Sequence, residues 1–189
     1  GGEWTCNSLV VAPRYYASGT QLVLWQQGTD SIACTVQDTL GSGATATVYR
    51  VTYAGKMCAL KVFKDKDLTH LGQEASLMLM LSHPKSHPNV LRADFVWYEQ
   101  RTNKMFFLLE LVDGDDLQTW MDDERLYAGT MEQQQAKLIS ITDQIAGGQR
   151  HLHGLGILHQ DNKPENVLMT KQGKPLLADL GVATQGTVE

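Results

Sequence analysis

Short apolar runs, rich in β-branched and aromatic side chains, alternate with turn-forming residues between positions 31 and 110 of this 189-residue chain. The pattern predicts an antiparallel sheet, because strands favour such side chains and the connections between them need residues that bend. Hairpin turns are expected at residues 54–56 and 101–104, where Gly55 and Asn103 tolerate a positive φ. Five strands are predicted, at residues 32–40, 45–53, 57–63, 90–98 and 105–110.

Helical spacing of apolar side chains appears in two places. Residues 68–81 predict one helix between the third and fourth strands, and residues 131–153 predict a long second helix. The first carries Leu71, Ala75, Met78 and Leu79 at this spacing, and the second carries Leu138, Ile141, Ile145 and Leu152. Further predicted strands lie at residues 21–25, 167–169 and 176–178, the last two forming a hairpin that turns at 171–174.

Two adjacent glycines, Gly147 and Gly148, lie inside the long helix. Each costs roughly 1 kcal/mol of helix propensity relative to alanine. We therefore expect close packing against another element at this point of the helix.

Composition narrows the class of protein. Apolar residues make up 42% of the chain, which is enough for a globular core. The net charge is −5 and no basic run is present, which argues against binding to nucleic acid or an anionic membrane. No apolar stretch approaches the roughly 18 residues of a membrane helix. The chain does not begin with methionine, and its first residues do not resemble a signal peptide. The natural N-terminus is therefore expected to lie upstream.

The three cysteines, Cys6, Cys34 and Cys58, are scattered and lack the paired spacing of zinc or redox motifs. This indicates reduced thiols in an intracellular protein, taken as cytoplasmic by default.

The first candidate site begins at Gly41 and Gly43, between two predicted strands. Glycines there allow a backbone to approach a phosphate closely, although such a pair alone is typical of ordinary hairpins. Lys61 follows within the next strand but one, 20 residues after Gly41, where its ammonium could reach the same phosphates. Glu74, 13 residues later on the predicted helix, supplies a carboxylate partner for this lysine.

The second candidate site follows the long helix. His159-Gln160-Asp161-Asn162-Lys163-Pro164-Glu165-Asn166 is followed, after the short hairpin, by Asp179-Leu180-Gly181. Asp161 could accept a proton from a hydroxyl group. Asn166 and Asp179 offer the hard oxygen ligands that Mg²⁺ takes when it also binds phosphate. The order and spacing of these elements are far more specific than any one of them.

Taken together, these motifs resemble the protein kinase superfamily of the eukaryotic Ser/Thr type, from about Thr39 to Gly181. The resemblance implies an α+β kinase-like fold with a five-stranded antiparallel N-lobe sheet, helix C and a truncated helical C-lobe. The implied domains are an N-terminal extension at 1–30, an ATP-binding N-lobe at 31–112 and a partial C-lobe at 113–189. ATP, Mg²⁺ and a protein substrate are the implied ligands, and further protein partners are left open.

The resemblance also implies a role for each matching residue. Asp161 would be the catalytic base, with Lys163 as the lysine that Ser/Thr kinases carry beside it and Lys61 paired with Glu74. Mg²⁺ would be held by Asn166 and Asp179. The nucleotide would be bound by the glycine loop, the apolar walls of the adenine slot, the hinge and a ribose contact. These residues are Leu40, Gly41, Gly43, Val48, Ala59, Lys61, Glu110, Val112, Asp116 and Leu168.

Four features depart from the family pattern. Ala46 replaces the third loop glycine, and Leu180 replaces the usual phenylalanine. Gln160 replaces the catalytic-loop arginine, which removes the cation that would receive an activation-loop phosphate. The chain also stops at Glu189 before the kinase fold would be complete, so this fragment is expected to be inactive alone.

The leading hypothesis is an active Ser/Thr kinase. A nucleotide-binding pseudokinase or scaffold is the main alternative, and a small-molecule kinase of related fold stays open. A dinucleotide-binding βαβ unit is disfavoured, because no crossover helix follows the glycines.

Overall fold

The computed structural model describes residues 15–25, 31–64, 68–81, 86–99, 102–180 and 183–185. Two compact units can be distinguished by their internal contacts. The first comprises Gly1–Lys66 with Val96–Leu108, and the second comprises Asp67–Phe95 with Leu109–Glu189. The boundaries predicted from the sequence, after residues 30 and 112, remain predictions.

A six-stranded sheet dominates the first unit, with strand order β1-β2-β3-β4-β6-β5. Its strands are β1 Gln21–Trp25, β2 Ser31–Ser42, β3 Ala46–Tyr53, β4 Lys56–Phe63, β5 Ala93–Glu99 and β6 Lys104–Glu110. Strand β1 pairs antiparallel with β2, from Gln21 opposite Thr35 to Trp25 opposite Ser31, and so adds a sixth strand to the five expected. The predicted α+β class with an antiparallel sheet is confirmed.

The core of this unit follows from the alternation of side chains along the strands. Tyr49, Val51 and Leu60 are buried on β3 and β4, while their neighbours Arg50, Thr52 and Lys61 are half-buried. The rings of Phe63 and Phe107 meet edge to face at 4.8 Å between centroids, which links β4 to β6. Such aromatic pairs contribute about 0.5–1.5 kcal/mol beyond their buried area.

The predicted turn between β3 and β4 is confirmed. Ala54 and Gly55 both adopt positive φ, at 47° and 74°. The next predicted turn has Asn103 at a φ of 54°, while Arg101 lies outside the described residues.

The segment before β1 packs on the sheet. Tyr16 donates its backbone N–H to the hydroxyl of Tyr49 at 3.2 Å, and the two rings meet edge to face at 5.5 Å. Gly19 N–H donates to the carbonyl of Val36, and Val36 N–H donates to the carbonyl of Thr20. Residues 16–20 therefore extend the surface of β2 and β3.

The second unit is mainly helical. Its described elements are α1 Leu68–Met80, α2 Leu117–Asp122, α3 Met131–Gly154, β7 Ile157–Leu158, β8 Val167–Met169, β9 Pro175–Leu177 and β10 Thr184–Gln185, with 3-10 turns at Arg125–Tyr127 and Pro164–Asn166. Strand β8 pairs antiparallel with β9, and β7 with β10. No helix of the described residues has the length and apolar character needed to cross a membrane.

Helix α3 begins at a capping box. Thr130 accepts the N–H of Gln133, and the Gln133 side chain accepts the N–H of Thr130. The close packing expected at the paired glycines is confirmed for Gly148. A Cβ there would lie 2.9 Å from the carbonyl oxygen of Asn89 and 3.0 Å from Leu177 Cδ1.

Several sequence expectations differ from the structure. The fourth predicted strand was expected to begin at Val90, but β5 begins at Ala93. Val90 instead forms a bridge with Leu177, and both residues belong to the second unit. Leu138, expected on the apolar face of α3, is 39% exposed, whereas Ile141 and Leu152 are buried. Helix α2, which was not predicted, begins where the Asp116 side chain accepts the N–H of Thr119.

Candidate active site

The segment after α3 is anchored by the buried side chain of His159. Its Nδ1 accepts the N–H of Asp161 at 3.4 Å, so the neutral ring carries its proton on Nε2 and donates it to the Ala178 carbonyl at 2.7 Å. A histidine that is 2% exposed and bonded at both nitrogens has a positioning role. It ties the loop that carries Asp161 to the residue before Asp179.

Asp161, Lys163 and Asn166, three of the predicted site residues, lie close together in the structure. Asn166 Nδ2 donates to Asp161 Oδ2 at 2.7 Å and to the Asp161 carbonyl at 3.0 Å. Lys163 Nζ lies 3.2 Å from the same Oδ2. Hydrogen bonds from Lys163 and then from Asn166 hold the pKa of the Asp161 carboxyl below its usual range. This carboxylate is therefore ionised at neutral pH, and its side chain is 35% exposed to solvent.

Asn166 and Asp179 carry the oxygen atoms expected to hold Mg²⁺. Asn166 is buried, and because its Nδ2 donates to Asp161, its Oδ1 is the atom left as a ligand. The backbone links the two positions, since Ala178 N–H donates to the Asn166 carbonyl at 2.8 Å. Asp179 is exposed and adopts a φ of 57°, a conformation that aspartate tolerates better than most residues.

This donor set suits Mg²⁺ better than a transition metal. Among the described residues, no three His, Cys, Asp or Glu side chains are arranged to hold a metal ion. Mg²⁺ is commonly held by one or two carboxylates together with substrate phosphates, so an amide oxygen and one carboxylate match that requirement.

Three of the predicted nucleotide residues form one row across the sheet of the first unit. Gly41 on β2 is the register partner of Val48 on β3, and Val48 is the partner of Lys61 on β4. Register partners point to the same side of a sheet. Ala59, two residues before Lys61, points to that side as well. The structure therefore places these four predicted residues on one face.

The loop between β2 and β3 is held by residues on both sides of it. Gly43 N–H donates to the Ala46 carbonyl at 2.9 Å, and Lys64 Nζ donates to Ser42 Oγ at 3.0 Å and to the Gly43 carbonyl at 2.6 Å. Lys64 was missed in the sequence, because a single lysine directly after a strand carries no pattern. Its two hydrogen bonds hold Ser42 and Gly43 in place.

Neither loop glycine is required by packing within the protein. Among the described residues, no atom beyond the adjacent residues lies within 4 Å of a Cβ built on Gly41, and the nearest to one on Gly43 is the Ala46 carbonyl oxygen at 4.0 Å. Neither residue adopts the positive φ that favours glycine. The open space above them is what a ligand that approaches the backbone would need. Leu40, the predicted wall beside them, is 39% exposed.

Lys61 and Glu74 lie in different units. Lys61 Nζ lies 4.7 Å from the centroid of the Phe63 ring, a cation–π distance. Glu74 is 7% exposed on α1, where a carboxylate needs a partner to offset its desolvation. Their pairing remains a prediction.

The remaining predicted residues, Glu110, Val112, Asp116 and Leu168, belong to the second unit. Glu110 Oε1 accepts the N–H of Arg92 at 2.9 Å, and Val112 is half-buried. Asp116 and Leu168 are bridge partners, and the Asp116 carboxylate caps α2. The nucleotide contacts assigned to these residues remain predictions.

Gly114 is a residue in this region whose importance the sequence did not reveal. A Cβ there would lie 1.9 Å from the Met169 carbonyl oxygen, so only glycine fits. The close approach aligns residues 113–116 with β8, where Met169 N–H donates to the Asp115 carbonyl at 2.6 Å.

Comparison with known proteins identifies the family of this chain. The family model for the protein kinase domain matches residues 34–188. Among curated relatives, the human rhodopsin kinase GRK7 is 33% identical over 150 residues, which cover 77% of this chain and 26% of that protein. The Eremothecium gossypii serine/threonine-protein kinase PKH3 is 25% identical over 155 residues, 78% of this chain and 20% of that protein. The mouse ribosomal protein S6 kinase alpha-2 is 29% identical over 154 residues, 78% of this chain and 20% of that protein.

The chain thus spans between a fifth and about a quarter of the length of these relatives. The family match covers most of the chain, from the sheet through the segment after Asp179. The protein belongs to the protein kinase family.

Proposed function

We propose that this domain transfers the γ-phosphoryl group of ATP to serine or threonine hydroxyls of protein substrates. The observation that carries the proposal is the Asp161 carboxylate, which Lys163 and Asn166 hold at 3.2 and 2.7 Å. A base for a hydroxyl proton must be ionised, oriented and open to substrate, and Asp161 meets all three conditions. The relatives include a serine/threonine-protein kinase, which supports the same substrate class.

The residues around Asp161 would each contribute to the reaction in a different way. Asn166 orients the carboxylate through Nδ2 and offers Oδ1 to Mg²⁺, so one side chain couples the base to the metal site. Lys163 neutralises charge next to the base, where the transferred phosphoryl group would arrive. His159 holds the loop through its two ring nitrogens. Bound Mg²⁺ would supply a positive charge that offsets the phosphate oxygens.

The face formed by Gly41, Val48, Ala59 and Lys61 is the proposed nucleotide surface of the first unit. Val48 and Ala59 offer apolar contact to an adenine ring, and Lys61 offers a cation to the phosphates. The open space at Gly41 and Gly43 admits the phosphates close to backbone N–H groups. Glu74 is the proposed partner of Lys61.

The proposal is tested in the natural full-length protein by substituting Asp161→Asn. The asparagine retains the size of the side chain but cannot accept the proton, so we expect a loss of phosphoryl transfer of about 10²–10⁴-fold. ATP affinity, measured separately by calorimetry, is expected to stay within a few fold. Asp143→Asn, which removes an exposed carboxylate from α3, is the matched control and should leave transfer unchanged.

The same experiment separates a kinase from the alternative of a nucleotide-binding scaffold. A wild-type protein that binds Mg–ATP but transfers no phosphate to any of a panel of Ser/Thr peptides would favour the scaffold. Transfer that survives Asp161→Asn would remove Asp161 from its assigned role.

A further inference from the structure

Four basic side chains lie near one another on the second unit, and none of them belongs to the proposed kinase site. His87 lies in the segment before Val90, Arg150 and His151 lie on α3, and Lys174 lies in the turn between β8 and β9. The rings of His87 and His151 stack with centroids 5.1 Å apart and planes inclined by 29°. The cluster thus joins three elements that are distant in sequence.

The charges around His87 are all of one sign. Burial, His151, Lys174 and Arg150, in that order, lower the pKa of His87 below its usual value. Neighbouring cations favour the neutral form of an imidazole, and the positive potential that lowers this pKa is one that a bound anion would offset. Both histidines are half-buried, whereas Arg150 and Lys174 are exposed, so the group can be reached from solvent.

Gly147 leaves a gap between two of these side chains. A Cβ built on Gly147 would lie 3.8 Å from Arg150 Nη2, 3.8 Å from His87 Cε1 and 4.0 Å from His87 Nε2. These are ordinary contact distances, so packing does not demand glycine here as it does at Gly148. Helix propensity favours alanine over glycine by about 1 kcal/mol. Glycine at 147 therefore keeps open a space between a guanidinium and an imidazole edge.

A backbone hydrogen bond also determines which ring nitrogen of His87 carries the proton. Asn89 donates its N–H to His87 Nδ1 at 3.1 Å, which places the proton of the neutral ring on Nε2. The edge of the ring nearest to Gly147 is therefore a hydrogen-bond donor even without a charge. Asn89 is itself fixed, because its buried side chain donates to Gln144 Oε1 at 3.0 Å and to the Pro175 carbonyl at 2.8 Å.

We propose that the four basic side chains bind a phosphate-type oxyanion over Gly147. Arg150 Nη2 and His87 Nε2–H would donate directly to the anion, while His151 and Lys174 would add positive charge around it. A guanidinium and an imidazole N–H suit this ligand, because both donate to phosphate oxygens with charge assistance when the ring is protonated. The ligand is either the free ion or a phosphorylated side chain, which share this chemistry.

The test is a titration of the full 189-residue chain with inorganic phosphate, at ionic strength kept constant with chloride. The histidine ring resonances of His87 and His151 are followed by NMR and assigned with His87→Asn. We expect saturable shifts of these two rings. Arg150→Gln and Gly147→Ala should each weaken binding by about tenfold, the loss expected when a charged hydrogen bond or its space is removed.

Gly147→Ala is informative because alanine fits this position and favours the helix, so a loss of binding cannot result from unfolding. Gly154→Ala, at the open C-terminal end of the same helix, and Lys171→Gln, in the same turn as Lys174, are matched controls that should bind normally. No saturable shift, or an affinity that survives Gly147→Ala or Arg150→Gln, overturns the site.

Two further titrations test the role of histidine charge and distinguish a free ion from a phosphorylated side chain. Sulfate keeps its charge between about pH 8 and 5, so its binding should tighten as the pH falls far enough for His87, whose pKa lies below its usual value, to take up a proton. Equal binding across this range would contradict the role of His87. A phosphoserine peptide is titrated beside its unphosphorylated form. Tighter binding of the phosphopeptide than of inorganic phosphate identifies a modified side chain as the ligand, and equal binding identifies the free ion.

Discussion

Asn166 donates from its Nδ2 to two oxygens of Asp161, the carboxylate Oδ2 at 2.7 Å and the backbone carbonyl at 3.0 Å. This double contact closes the loop between them and fixes the direction of the carboxylate. With Lys163 on the same Oδ2, it also explains why the pKa of Asp161 is lowered.

The first prediction concerns this pKa. Lys163→Met removes the hydrogen bond that lowers this pKa most, and Asn166→Ala removes the next largest contribution. Each substitution should therefore raise the pKa of Asp161 toward the ordinary value near 3.9. A carboxyl whose folded pKa is lowered stabilises the protein above its unfolded pKa and loses that effect as pH falls through the folded pKa. Carboxyl carbon NMR between about pH 6 and 2 measures the shift. An unchanged pKa in Lys163→Met would mean that the ion pair contributes nothing in solution.

The second prediction concerns Mg²⁺. Asp179 has a φ of 57°, so asparagine, which tolerates this conformation, is a better substitute than alanine. Asp179→Asn should fold normally and lose the additional thermal stabilisation that Mg²⁺ gives in the presence of ATP. Thermal-shift measurements with and without Mg²⁺ check this. Equal stabilisation of both proteins by Mg–ATP would show that the metal assignment is wrong.

The third prediction concerns regulation. Gln160 stands where related kinases carry an arginine that receives an activation-loop phosphate, and glutamine lacks the charge for this contact. We expect the natural full-length enzyme to retain most of its activity after phosphatase treatment. Gln160→Arg should introduce a dependence on phosphorylation, because a guanidinium pairs with phosphate. Loss of most wild-type activity, restored by rephosphorylation, would show that another cation serves this purpose.

The fourth prediction compares two neighbouring glycines of α3. Gly148→Ala should destabilise the protein by about 1–3 kcal/mol, because the new Cβ would lie 2.9 Å from a backbone oxygen of Asn89 that cannot move freely. Gly147→Ala should instead stabilise it by up to about 1 kcal/mol, since its contacts begin at 3.8 Å. Urea unfolding midpoints of the two variants give the comparison. Equal effects of the two substitutions would contradict the packing described for this helix.

The fifth prediction concerns the segment before β1. Burial, and then nearby Glu99, raise the pKa of Tyr16 to about 12. A tyrosine whose folded pKa is raised stabilises the fold fully below its unfolded pKa near 10 and loses that effect as pH rises through the folded value. Tyr16→Phe keeps the ring against Tyr49 but cannot ionise, so its stability should fall less between about pH 10 and 12. Tyrosinate absorbance and denaturant unfolding measure the two effects, and identical pH profiles would indicate that Tyr16 is exposed in solution.

The sheet, the two long helices and the order of the polar motifs could be predicted from the sequence alone. Strand alternation, helical spacing and turn residues such as Gly55 are local signals, so they can be read without knowing what lies opposite. The same holds for the loop that contains Asp161 and Asn166, because five residues of separation and an intervening proline leave few ways to close it.

The contacts between elements, in contrast, could be found only in the folded structure. Strand β1 joins the sheet because β2 offers a free edge, Leu138 stays exposed although its neighbours on the same face are buried, and Val90 leaves β5 to pair with Leu177. The stacking of His87 on His151 likewise depends on how the segment before Val90 lies against α3. The partners of Val90 and His87 lie far along the chain, at positions set by the packing of the whole unit and not by any local pattern.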